Sequence, residues 1–238
     1  MKKVLLFSLS VVLLGLSFHA NAQLLDKAKK ILSSKSKGLS EQDAADGIRE
    51  ALLKGTAHGV ETVSKADGYL GNPEIKIPLP PEASGMEKKL KSIGLGKQVD
   101  QVVVSLNRAA ETAAVEAKPI FIAAIKNLTI TDAVNIVKGN DDAATQYLEK
   151  STSSELSQKF QPIIKSSLEK VNATKYWSGV MTTYNKIPFV KKINPDLNQY
   201  VTGKAIEGLF KMIAKEEISI RQDPAARSSD LLKKVFGK

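Results

Sequence analysis

The stretch VDQVVVSLNRAAETAAVEA, Val99 to Ala117, decides the fold. Val99, Val102, Leu106, Ala109, Ala113 and Ala117 recur at steps of three and four, the spacing of one face of an α-helix. Val103, Val104, Ala110, Ala114 and Val115 add apolar residues off that face, so the helix reads as apolar almost all round. A helix of that kind belongs in the middle of a packed structure rather than on its surface. Asn107, Arg108 and Glu111 interrupt it. Asn107 and Glu111 lie four residues apart and Arg108 and Glu111 three, so the three side chains share one neighbourhood. A buried arginine or glutamate must find partners or bear a heavy desolvation cost. The expectation is a hydrogen-bonded ion-pair network between helices; the functional alternative is a site for a polar ligand group or a cation.

Helical spacing continues downstream. Pro119 ends or kinks the first helix, and Ile120 to Leu128 resumes it. Thr129 with Asp132 has the spacing of a reciprocal N-terminal cap, and Gly139 stops the short helix which that cap opens. Asp141 to Glu149 reads as a further piece, after which Thr152 and Glu155 repeat the capping pattern ahead of Leu156, Phe160, Ile164 and Leu168, with Pro162 as a kink. Asn140-Asp141-Asp142 lacks the alternating acids and the final glutamate of a calcium loop, so capping is the better reading of Asp132, Asp141 and Asp142. Asn194-Pro195 looks like an N-cap with proline in the first turn. The long helix it opens carries Leu209, Met212, Ile213 and Ile220, with Glu216 read as inward. Glu217 and Arg221, four apart, read as a pair along its flank. Glu216 then either faces Arg108 or joins Glu111 in a carboxylate pair. The neutralising pair with Arg108 is the structural expectation; the carboxylate pair would suggest a cation or acid/base chemistry. Ser228 or Ser229 caps a last helix with Leu231, Leu232, Val235 and Phe236.

Upstream, residues 66–81 break the pattern. Asp67-Gly68 and Gly71-Asn72-Pro73 are turn chemistry, and Pro78, Pro80 and Pro81 force an extended path. Ile75 and Ile77 alternate with Lys76 as in a very short strand. A loop this long in a compact domain is more often functional than incidental, which makes Asp67, Tyr69, Ile77, Pro78 and Pro80 loop candidates. Before it, Ser40 and Asp43 open a helix bearing Ala44, Ile48, Ala51 and Leu52. Its glycines, 47, 55 and 59, imply close approach by another backbone or an early end. The fold class expected is therefore all-α: a single-domain irregular helical bundle over residues 23–238 with one extended Pro-rich loop.

The first residues point to export. Lys2 and Lys3 precede a mostly apolar run from Val4 to Phe18, then Ala20-Asn21-Ala22 offers small residues at the positions a signal peptidase reads. That run is too short to span a bilayer, so residues 1–22 read as a signal peptide cleaved after Ala22, with no transmembrane segment in the mature chain. The chain of 238 residues has no cysteine, which excludes lipoprotein attachment, disulfides and Cys-based zinc sites or nucleophiles. His19 lies in the signal, leaving His58 as the only histidine afterwards; with Ser64 or Asp67 it makes a weak triad candidate. No phosphate-cradling glycine motif, nucleophile elbow or dinucleotide fingerprint is present, so catalytic residues, cofactor and metal site are all expected to be none.

The protein is basic, with 35 Lys and Arg against 25 Asp and Glu. The expectation is a soluble, colloidally stable surface; the alternative in an envelope is an anionic partner (phospholipid headgroups, lipopolysaccharide or wall polymers) or a protein partner, rather than nucleic acid. Leu24, Leu25, Ala28, Ile31 and Leu32 form an apolar stripe opposite Lys27, Lys29 and Lys30. This segment, within residues 23–38, either docks on the body or lies on an anionic membrane; docking is the expectation.

Taken in order, these motifs resemble a family of exported bacterial proteins, domain of unknown function 4197. They are Asp67-Gly68-Tyr69, Ile77-Pro78-Leu79-Pro80, Asn107-Arg108-Ala109-Ala110-Glu111, Thr129-Ile130-Thr131-Asp132-Ala133, Ala144-Thr145-Gln146-Tyr147-Leu148, Gly208-Leu209-Phe210, Glu216-Glu217, Ile220-Arg221, Asp223-Pro224 and Val235-Phe236-Gly237. The family commonly carries methionine where this chain has Leu106 and Leu128, a change that keeps both positions apolar. The resemblance implies a periplasmic location and supplies no catalytic residues to carry over. The resulting expectation is a non-enzymatic binding or structural protein of the envelope, with contact regions at residues 75–81 and at Asn107, Arg108, Glu111, Glu216, Glu217 and Arg221. The alternatives are a carboxylate-based metal-binding protein or hydrolase using Glu111 and Glu216, and a peripheral membrane protein held by its basic N-terminal helix.

Overall fold

Seven α-helices are present among the described residues of a computed structural model: α1 (Glu41–Ser64), α2 (Gly96–Ala114), α3 (Ala117–Lys126), α4 (Ile130–Lys138), α5 (Ala143–Lys170), α6 (Leu197–Gln222) and α7 (Asp230–Phe236). The structure describes residues 39–83, 96–170 and 196–237, with isolated positions between 84 and 95 and between 171 and 185. The expected signal peptide and the basic segment 23–38 lie outside the described residues, as does Asn194-Pro195. Residues Glu41–Lys238 form one unit, and no strand occurs among those described. The fold is all-α.

The core is built where the helical stripes meet. α1 packs on α2, α3, α4, α6 and α7, while α6 packs on α1, α2 and α5. Leu106, Phe121, Leu148, Phe160, Leu209 and Ile213 are buried at these contacts. Phe121 and Phe210 meet edge to face with ring centroids 5.7 Å apart. The centre is thus shared, which corrects the expectation for the 99–117 stretch. α2 buries Val99, Leu106, Ala109, Ala110 and Ala113, but Gln101, Val104 and Thr112 face solvent.

Helix α1 runs unbroken through its glycines. A Cβ on Gly59 would come within 2.9 Å of Ile213 Cγ1 and 3.6 Å of the Ile213 backbone nitrogen. Close approach by α6, not chain termination, explains that residue.

Helix ends follow local chemistry in most places. Thr129 and Asp132 form the reciprocal cap of α4, and Ser229 Oγ accepts from Leu232 N–H at the start of α7. Gly94 takes φ +87°, a conformation that suits glycine. Two expectations are corrected. The long α6 starts at Leu197 under the Asp196 carboxylate, which accepts from the N–H groups of Asn198 and Gln199. In addition, Thr152 caps nothing. It lies inside the continuous α5, where its hydroxyl donates to the Leu148 carbonyl at 2.7 Å, the back-bond that lets threonine sit mid-helix. α5 also passes through Pro162. The carbonyl four residues earlier belongs to the exposed Gln158, which water can satisfy.

Candidate functional site

The polar residues singled out in the sequence fall into three groups rather than one. The first joins α2 to the loop between α1 and α2. After α1, Asp67 adopts φ 65° and turns the chain back. Glu111 Oε1 then accepts from the Tyr69 N–H at 3.1 Å and the Leu70 N–H at 3.3 Å. Its Oε2 accepts from Arg108 Nη1 at 2.6 Å, and Arg108 Nη2 reaches Asp67 Oδ1 at 2.7 Å. These two carboxylates raise the affinity of the Arg108 guanidinium for its proton. The Glu111 side chain is only 5% exposed. Both of its oxygens are engaged by the chain's own donors.

Asn107 does the corresponding work for the extended segment. Its Oδ1 accepts from the Ile77 N–H at 2.8 Å and its Nδ2 donates to the Ile77 carbonyl at 2.9 Å. A primary amide presents a donor and an acceptor side by side, so it pairs with one residue's backbone as a neighbouring strand would. The Ile75–Lys76–Ile77 alternation is real, with both isoleucines buried and Lys76 exposed, but an asparagine side chain replaces the partner strand. Tyr69 is fully buried and donates its hydroxyl to the Ala205 carbonyl at 2.6 Å. Burial, with the Glu111 charge nearby, pushes that hydroxyl far above the ordinary tyrosine value. Gly208 makes room for this side chain: a Cβ there would come within 2.8 Å of Tyr69 Cε1. Pro80 is buried and Pro78 exposed, and the Pro78 carbonyl accepts from the Tyr200 hydroxyl at 3.1 Å. Outside, Lys215 donates to both Glu74 oxygens and holds that carboxyl below its ordinary range.

The second group is a junction of α4, α5, α6 and α7. Glu217 accepts from the N–H groups of Ala144 and Thr145 at 2.9 and 2.7 Å and from the Thr145 hydroxyl at 2.8 Å. These backbone donors lie in the first turn of α5, where no carbonyl within the helix can reach them. Arg221 clasps Glu217 Oε1 through Nε and Nη2 and donates to the Ile136 carbonyl in the last turn of α4 at 3.0 Å. Its guanidinium carbon lies 5.2 Å from the centroid of the Phe236 ring. The Glu217–Arg221 pair is as expected in sequence, but it is buried, with side chains 5% and 8% exposed. The capping role expected for Asp141 and Asp142 is also corrected. Their side chains take the Gln222 and Gln146 amides, while a carboxylate from α6 reaches the helix end.

The third group is a pair the sequence did not suggest. Glu216 Oε1 lies 2.6 Å from His58 Nδ1, with side chains 25% and 57% exposed. Glu216 therefore faces α1, and among the described residues no contact joins it to Arg108 or Glu111. The inward residue is Glu217, one position later and four beyond the buried Ile213. Elsewhere, Arg49 donates to the Leu128 carbonyl at 2.7 Å and Arg227 to the carbonyls of Ile220 and Arg221, closing helix ends with side chains that no local pattern pairs with them. Among the described residues no group of three or more His, Asp and Glu is arranged to hold a metal ion. No single helix among them is long and apolar enough to cross a membrane.

An all-α unit whose polar motif residues clamp a loop and a helix junction is thus in place. Residues 38–237 match the family described as Protein of unknown function (DUF4197). The chain belongs to that family. No curated protein and no solved structure matches it.

Proposed function

We propose that the protein is exported, loses residues 1–22 and works in the periplasm as a non-enzymatic binding or structural protein of the envelope. The observation that carries this reading is the saturation of Glu111 and Glu217: every oxygen of these buried carboxylates accepts from an N–H or O–H of the chain itself. Groups spent in this way hold the fold and are not free to bind a substrate or move a proton. Lys2, Lys3, the apolar run to Phe18 and Ala20-Asn21-Ala22 support export. Binding is then left to the outer surface.

Native mass spectrometry of the protein from its own envelope fraction, with no metal or lipid added, tests this. The expected spectrum is a chain beginning at Gln23, alone or with a lipid or protein attached. A metal ion held one to one, and lost in Glu216→Gln, would overturn the reading in favour of carboxylate metal chemistry.

A further inference from the structure

We propose that α3 and the entry to α4 form a docking surface for an anionic lipid bilayer. The outer side of α3 mixes apolar residues with lysines. Ala117, Ile120, Phe121 and Ile125 are buried against the core, yet on the opposite side Pro119 and Ala123 are exposed and Ile122 is half-buried. A surface helix normally keeps that outer side polar. Val115, 56% exposed, lies in the turn just before α3, and Ile130, 41% exposed, is the first residue of α4. Within α3, Pro119, Ile122 and Lys126 follow one another at steps of three and four on that outer side.

Charge selects the occupant. Lys118 and Lys126 are exposed on α3 and Lys138 at the end of α4, and neither Lys126 nor Lys138 has an ion-pair partner among the described residues. Between Val115 and Lys138 the acids are Glu116, exposed, and Asp132, whose Oδ2 is occupied by the Thr129 N–H and hydroxyl; three lysines outnumber them. A second copy docking symmetrically would set this basic rim against itself. Anionic headgroups would instead take the lysines while the exposed apolar side chains enter the acyl boundary. α3 is about 15 Å long at ~1.5 Å per residue, too short to cross, and the chain bends by 103° between α3 and α4. The pair lies in the interface rather than through it.

This surface rests on reading the protein as an envelope binder, and the test separates the two. The mature chain is mixed with vesicles of phosphatidylglycerol and phosphatidylcholine, or of phosphatidylcholine alone, and sedimented. Binding is expected to the anionic vesicles only and to weaken with salt. Val115→Asp with Ile130→Asp, and separately Lys126→Glu with Lys138→Glu, should each weaken it by about tenfold or more, the second from roughly a factor of five per lysine at an anionic surface. The melting temperature should hold, because all four side chains are exposed. Leu53→Asp, an equally exposed change on α1, and Lys27→Glu with Lys29→Glu and Lys30→Glu should leave binding intact. Failure to bind anionic vesicles, undiminished binding in both α3 variants, or loss only in the N-terminal variant would overturn the proposal. So would a dimer that Val115→Asp with Ile130→Asp dissociates. A chain that ignores vesicles but keeps a protein partner loses this surface and keeps the envelope-binding role; a bound metal ion in the native spectrum removes the role itself.

Discussion

Glu217 and Thr145 are 72 residues apart in sequence, yet the Glu217 carboxylate receives both the Thr145 N–H, at 2.7 Å, and the Thr145 hydroxyl, at 2.8 Å. The N-terminus of α5 is therefore capped by another helix. The carboxylate also faces the positive end of the α5 dipole, an arrangement that favours its charge.

Removing that cap leaves Arg221 buried without its counter-charge. Glu217→Ala is expected to cost about 3–5 kcal/mol, and Glu217→Gln less, because the amide oxygen still accepts one N–H. Urea unfolding followed by circular dichroism measures both. A loss below about 1 kcal/mol for the alanine variant would show that the junction is not a keystone of the fold.

Asn107→Ala removes the donor and acceptor that satisfy Ile77 and leaves two buried backbone groups unpaired. A loss of about 2–6 kcal/mol is expected, at about 1–3 kcal/mol for each group. Asn107→Asp should not rescue it, because a carboxylate can accept from the Ile77 N–H but cannot donate to its carbonyl. Limited proteolysis reports the same event locally, with cleavage between residues 70 and 80 preceding global unfolding.

Tyr69 predicts an alkaline limb in the stability profile. Its folded-state pKa is raised above the ordinary 10.0 by burial first and by Glu111 second. Stability from the neutral hydroxyl is therefore complete below about pH 10 and is lost as pH rises toward the folded-state value. Tyr69→Phe should cost about 1 kcal/mol at neutral pH through the lost bond to Ala205 and should flatten that alkaline fall. An identical alkaline slope in the two proteins would refute the assignment.

Two glycines of α6 should respond in opposite directions. A Cβ on Gly203 meets nothing within 4 Å, whereas one on Gly208 meets Tyr69 Cε1 at 2.8 Å and Ile75 Cβ at 3.1 Å. Gly203→Ala is expected to stabilise by up to about 1 kcal/mol through helix propensity. Gly208→Ala is expected to destabilise by about 1–2 kcal/mol, as overpacking displaces a buried ring and a branched side chain. Thermal melts of the two variants against the parent settle both signs.

The fold class and many of the helix ends were legible because they depend on residues within one or two turns of each other. The steps of three and four in α2, the Thr129–Asp132 cap and the serine ahead of α7 need nothing from the rest of the chain. The turn at Asp67-Gly68 and the buried–exposed–buried alternation at residues 75–77 were legible for the same reason. Errors arose where a local signal had a non-local competitor. Thr152 and Glu155 have capping spacing, but α5 was already capped by Glu217, so the helix ran through them. Asn107 was recognised as a polar intrusion in an apolar helix, while its partner, one backbone unit of an extended loop, has no local pattern to announce it.

The sharpest division falls at Glu216 and Glu217. Periodicity set both on one helix with Arg221 a turn beyond. Successive helical residues differ by about 100° in direction, and a stripe of apolar neighbours leaves a margin nearly that wide, so the choice between them was not a local matter. Packing of α6 against α1 and α5 resolved it, directing Glu216 to His58 at the surface and Glu217 to the amides of α5. Periodicity and capping are short-range and can be read along the chain; which charge meets which partner depends on how whole helices dock, and that is decided only when the core closes.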